Sequence, residues 1–91
     1  MFTVVTYDIT DDSRRLRVAT KLKDYGERVQ YSVFECILED RMLQGLIREV
    51  TPLINEEEDS IRIYRLCGGC RKGISVYGRG IVTEDKDVFI V

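Results

Sequence analysis

From Phe2 to Ile9 almost every position is apolar, aromatic or β-branched, and this pattern predicts a strand over residues 2–9. Beyond it the period changes. Leu16, Ala19 and Leu22 recur at helical spacing, which predicts a helix capped by Asp11 or Asp12 and stopping near Gly26, a residue suited to a left-handed position after the last turn. A second extended run covers residues 29–38. Asp40 then opens a helix with Leu43, Leu46, Ile47 and Val50 on one stripe, and Pro52 ends or kinks it. Residues 61–67 alternate like a strand, Gly68-Gly69 predicts a turn, and residues 73–77 read as the returning strand of a hairpin. A final short strand is predicted at 88–91. No repeat, low-complexity segment or linker interrupts the 91 residues, so one domain is expected, with residues 80–91 as a C-terminal extension.

The strand patterns also bear on assembly. On the first strand Phe2, Val4 and Thr6 point one way and Val5, Tyr7 and Ile9 the other; on the second, Phe34, Cys36 and Leu38 oppose Val29, Tyr31, Val33 and Ile37. Both faces read as largely apolar. Two helices cover only one face of a four-stranded sheet, so the other face predicts a homodimer, and the terminal strand is free to add to a sheet edge of either copy.

Composition narrows the setting. No apolar run approaches the ~18 residues of a membrane span, and no basic-then-apolar leader is present, so the chain reads as soluble and cytoplasmic. Three cysteines, an odd number, argue against a secreted disulfide framework. The net charge of -2 conceals segregation: Arg14, Arg15, Arg17, Lys21 and Lys23 form one acid-free stretch, and Arg62, Arg65, Arg71, Lys72 and Arg79 another. Such blocks read either as solvated faces or as a surface for phosphates.

Asp8 is the residue that carries chemistry. A carboxylate on an apolar strand is costly to desolvate without a cation or several donors, and the arginines that follow suit a phosphate as well as they suit Asp8. The residue types alone leave two readings open, a metal-dependent phosphodiester site and a carboxylate that caps a helix or pairs with an arginine.

Val5-Thr6-Tyr7-Asp8-Ile9, Arg15-Leu16-Arg17-Val18, Gln30-Tyr31-Ser32-Val33-Phe34-Glu35 and Asp59-Ser60-Ile61-Arg62-Ile63-Tyr64 together resemble the CRISPR-associated protein 2 family over nearly the whole chain. The resemblance implies an α+β ferredoxin-like sandwich, a four-stranded and mainly antiparallel sheet with two helices on one face. It also implies a homodimer, an integrase subunit as partner in spacer acquisition by prokaryotes, and a metal-dependent endonuclease acting on RNA or DNA. Asp8 matches the family's metal-binding aspartate, with Mg2+ or Mn2+ shared between the two copies. With no histidine in the chain, water activated by the metal is the expected nucleophile. Tyr7, Arg15, Arg17, Arg28 and Phe34 match residues at or near the site; Tyr7 and Phe34 also suit a core, and the arginines ordinary surface charge. Ser32 is a further candidate for orienting the site. The fold the resemblance implies requires a hairpin between the helices, whereas residues 29–38 show no turn signal, so a single bent strand or a tight bend near residues 32–34 is expected. A non-catalytic adaptor that holds duplex DNA and bridges integrase subunits is the second reading. A small-molecule-sensing domain of similar fold is the third, without a glycine-rich ligand loop to support it.

Cys67-Gly68-Gly69-Cys70 makes half of a zinc site, and the chain has neither a second pair nor a histidine to complete one. A redox pair of the thioredoxin kind would open a helix, so the glycines predict a structural turn instead.

Overall fold

The computed structural model describes residues 1–83. In chain order these form β1 (Phe2–Asp8), α1 (Asp12–Leu22), β2 (Gly26–Gln30), β3 (Val33–Ile37), α2 (Asp40–Val50), β4 (Ser60–Leu66) and a short α3 (Gly68–Lys72). The sheet order is β2-β3-β1-β4 and every pairing is antiparallel. A β-α-β-β-α-β succession with β1 inside the sheet is the ferredoxin-like fold that the family resemblance implies. No helix among the described residues is long and apolar enough to cross a membrane.

Period and capping explain why the helices form where they do. The Asp11 carboxylate accepts the Arg14 N–H at 2.8 Å, satisfying one of the free donors of the first turn of α1. Thr51–Leu53 tighten into a 3-10 turn at Pro52, which ends α2 as its ring geometry requires. Val18, Ala19 and Leu22 of α1 and Leu43, Leu46 and Val50 of α2 pack on Val5, Tyr7, Phe34 and Cys36. Both helices therefore cover the same face of the sheet, and each fully buried Leu, Val or Phe contributes about 1.5–3 kcal/mol. Leu16 lies outside this core and is 66% exposed, so the buried stripe of α1 runs through Val18 instead.

Several expectations are corrected. The run at 29–38 is not one strand but the turn and second arm of a hairpin, with β2 and β3 joined through Tyr31 and Ser32 and a register shift between Arg28 and Gln30. Gly26 is not a left-handed helix cap; α1 ends at Lys23 in right-handed conformation, and Gly26 opens β2. A Cβ at Gly26 would lie 2.4 Å from the Glu35 carbonyl oxygen and 2.5 Å from the Cys36 sulfur, so close strand approach is what selects glycine there. Gly68-Gly69 do not turn a hairpin. They begin α3, and residues 74–77 form no returning strand. The strand predicted at 88–91 lies outside the described residues.

The second face of the sheet is more polar than its alternation suggests. Pairing places Val4, Thr6, Val33 and Ile37 on it together with Glu35, Arg62 and Tyr64. Part of it is covered from within the chain. Arg71 lays its guanidinium 5.0 Å from the centroid of the Phe2 ring and donates to the Thr83 carbonyl, while the Thr83 N–H donates to the Glu35 carboxylate at 2.9 Å.

Candidate nuclease site

Asp8 ends β1 opposite Ser60, and strand alternation turns its side chain away from the helices. It is exposed, and its carboxylate has no hydrogen bond or ion pair among the described residues. The costly burial that makes an apolar-strand carboxylate demand a partner is thus avoided by position, at the rim of the sheet. Tyr7, one residue earlier, points the other way into the core.

The β2–β3 turn is fastened to the same spot. The Tyr7 N–H donates to the Ser32 carbonyl at 3.1 Å, and the Tyr7 hydroxyl donates to the Tyr31 carbonyl at 3.2 Å. Arg28 approaches the Tyr7 hydroxyl at a long 3.5 Å and lies 5.5 Å over the Phe34 ring, which is itself 6.3 Å from the Tyr7 ring. Phe34 has no exposed surface, so it is the floor under Arg28 and offers no face to a base. On the opposite wall Arg15 donates to the carbonyls of Ile9 at 3.0 Å and Thr10 at 3.4 Å and pairs with Asp12. Between these walls runs a cleft of about 530 Å3 whose lining includes Tyr7, Asp8, Asp12, Arg15, Arg28 and Ser32.

The structure thus brings Tyr7, Asp8, Arg15, Arg28 and Ser32 to one cleft with Phe34 beneath it. Arg17 is set apart. It donates to the Ser13 hydroxyl at 3.1 Å and lines a separate depression with Lys21 and Leu53. Two cleft residues escape sequence reading: Asp12, visible there only as a helix cap, and Tyr31, which is 96% exposed at the hairpin turn. No sequence signal marks Tyr31, which alternates with Val29 and Val33 like a strand residue.

The chemistry of the donors fits a hard divalent cation only in part. Asp8 offers a free carboxylate of the right kind, yet the described residues hold no cluster of three or more His, Cys, Asp or Glu side chains that could hold a metal. Asp12, the other carboxylate of the cleft, is engaged by Arg15.

An ion pair ties α1 to the residue before β4. Asp59, just before β4, is 8% exposed and accepts Arg14 Nε at 2.8 Å and the Asn55 N–H at 2.9 Å; Arg14 also reaches Glu58 at 3.1 Å. The Arg14 guanidinium and the Asn55 N–H hold the Asp59 carboxyl below the usual carboxylate range. This pair locks the first turn of α1, and with it Arg15, to the start of β4.

The family model described as CRISPR associated protein Cas2 matches residues 1–74. The chain belongs to this family. It is 46% identical over 91 residues to CRISPR-associated endoribonuclease Cas2 3 of Chloroflexus aurantiacus, covering 100% of this chain and 98% of that one. It is 51% identical over 96 residues to CRISPR-associated endonuclease Cas2 of Halalkalibacterium halodurans, covering 98% and 100%. Among solved structures, a chain of a partial Cas6-RT-Cas1--Cas2 complex superposes with a TM-score of 0.66 at 30% identity, covering 82% of this chain and 88% of that one. The β-α-β-β-α-β order is therefore the fold of a Cas2 chain.

Proposed function

We propose that this Cas2 chain acts in CRISPR adaptation as a homodimeric endonuclease of the prokaryotic cytoplasm, cleaving phosphodiesters of RNA or DNA with a divalent cation, Mg2+ or Mn2+, shared by Asp8 of both copies. The observation that carries this reading is the solvent-facing Asp8, without a partner among the described residues, in a cleft walled by Arg15 and Arg28. A cation bound there would draw charge from the phosphate and make water a stronger nucleophile. The chain's own residues do the positioning. Arg15, fixed by two backbone carbonyls, and Arg28, backed by Phe34, present guanidinium groups that neutralise and orient phosphate oxygens. Tyr7 holds the hairpin turn against the end of β1, keeping Arg28 and Ser32 beside the carboxylate. The relatives' names, endoribonuclease and endonuclease, support both classes of substrate. The test is cleavage of a single-stranded RNA and a duplex DNA with Mg2+ and with chelator. Loss of cleavage in chelator and in Asp8→Asn supports the reading, and undiminished cleavage in either overturns it.

A second role rests on the Cas1-containing complex in which a similar chain is found. An adaptor that holds duplex DNA and bridges integrase subunits uses surface charge instead of the carboxylate. Asp8→Asn should then still assemble with a Cas1-type integrase and support spacer acquisition; loss of acquisition in an intact complex would overturn this role.

A further inference from the structure

The Cys67-Gly68-Gly69-Cys70 segment opens α3 directly after β4, a strand-to-helix junction where the glycines alone predict a hairpin turn. Cys67 is the N-cap residue. Its backbone is extended and its sulfur accepts the Cys70 N–H at 3.4 Å. Both thiols are exposed, whereas the third, Cys36, is buried in the sheet. The glycines between them are not demanded by crowding or by positive φ. A Cβ at Gly68 would meet nothing within 4 Å, and one at Gly69 only the Cys67 sulfur at 3.9 Å. Neither glycine places a side chain of its own beside the two exposed sulfurs. Arg71 and Lys72 follow, and no acidic residue occurs from 60 to 83.

We propose that Cys67 and Cys70 are a thiol–disulfide exchange site, closing to an intramolecular disulfide by reaction with a small disulfide of the glutathione class. The two thiols differ as attacker and resolver. Hydrogen bonds from Cys70 and from the Gly69 N–H pull the Cys67 thiol below its ordinary range, while donation to Cys67 pushes the Cys70 thiol up. The Cys67 thiolate attacks one sulfur of the reagent, forming a mixed disulfide and releasing a thiolate that takes up a proton from water. Cys70 then gives its proton to solvent and attacks the Cys67 sulfur, forming the Cys67–Cys70 bond and releasing the second small thiol. Two protein thiols are oxidised and one disulfide is reduced to two thiols. Burial pushes the Cys36 thiol to about 11, which makes it an internal control.

The experiment equilibrates the full chain in buffers of increasing oxidised-to-reduced glutathione. Free thiols are then trapped with iodoacetamide in denaturant and the intact mass is read. The wild type should pass from three trapped thiols to one, with the remaining label on Cys36 by peptide mapping. Cys70→Ser should stop at the first step and retain one glutathione on Cys67. Cys67→Ser should keep both of its remaining thiols at ratios where the wild type is closed. Three trapped thiols throughout, a covalent dimer in place of the internal bond, or a Cys70→Ser chain without adduct would overturn the proposal.

Discussion

Asp8 and Asp59 are carboxylates in opposite circumstances. Asp8 stands exposed at the sheet rim and unpaired among the described residues, so its charge is open to an external cation, and Asp8→Asn should cut metal-dependent cleavage by orders of magnitude while leaving the melting temperature unchanged or slightly raised. Fluorimetric melting and a cleavage assay on the same preparation separate the two effects; a collapsed melting temperature would recast Asp8 as structural. Asp59 is enclosed and held by Arg14 and Asn55. Because its folded pKa is depressed, the stability it confers is present above the unfolded value of about 3.9 and is lost as pH falls through the lower folded value. Arg14→Met should therefore be less stable than wild type at pH 7, and urea titrations should show the gap closing as pH drops below about 4. A gap independent of pH would mean that Arg14 acts by packing alone. Sequence exposes Asp8 because it interrupts an apolar run; it hides the Arg14–Asp59 pair because 45 residues separate the partners.

At the scale of elements, β1, α1, α2 and β4 are legible because each carries a period near two or 3.6; β1, α2 and β4 keep within a residue or two of the pattern, whereas α1 stops at Leu22, short of the expected Gly26. The hairpin is not. Its turn is made by Tyr31 and Ser32 with no glycine, asparagine or proline, and the described non-glycine residues all have negative φ, so no turn signature exists to be read. The glycines mislead twice. Gly26 marks strand contact instead of a helix end, and Gly68-Gly69 start a helical turn. Of the cleft, Asp8, Tyr7, Arg15 and Arg28 are legible through resemblance, but Arg17 falls outside it because helical rotation turns it from its neighbour Arg15. Gly26→Ala should cost about 1–3 kcal/mol by forcing β2 from β3, visible as a lower denaturant midpoint. Wild-type stability in that variant would show that the strand gap is already slack.

For the whole molecule, the mixed second face of the sheet sets the expectation of self-association. Val4, Val33 and Ile37 lie on that face beside Arg62, Glu35 and Tyr64. Light scattering should give twice the 10.6 kDa chain mass at micromolar concentration, and a stable monomer would remove the shared Asp8 site. Replacing Arg15 and Arg17 together by Ala should weaken duplex binding, lowering the slope of log affinity against log salt by about 0.9 for each phosphate no longer neutralised. An unchanged slope would move the nucleic-acid surface to another face. The strand order has a consequence for biosynthesis. β1 leaves the ribosome first, yet both strands that flank it come later, and β4 last. The nascent chain must carry an unfinished central strand until Leu66 has cleared the exit tunnel, a wait on the order of 3–12 s at roughly 5–20 residues per second. Once Ile37 has emerged, the β2–β3 hairpin is available to pair with one edge of β1, so the Tyr31–Ser32 turn that walls the finished cleft can engage the Tyr-Asp end of β1 before β4 exists.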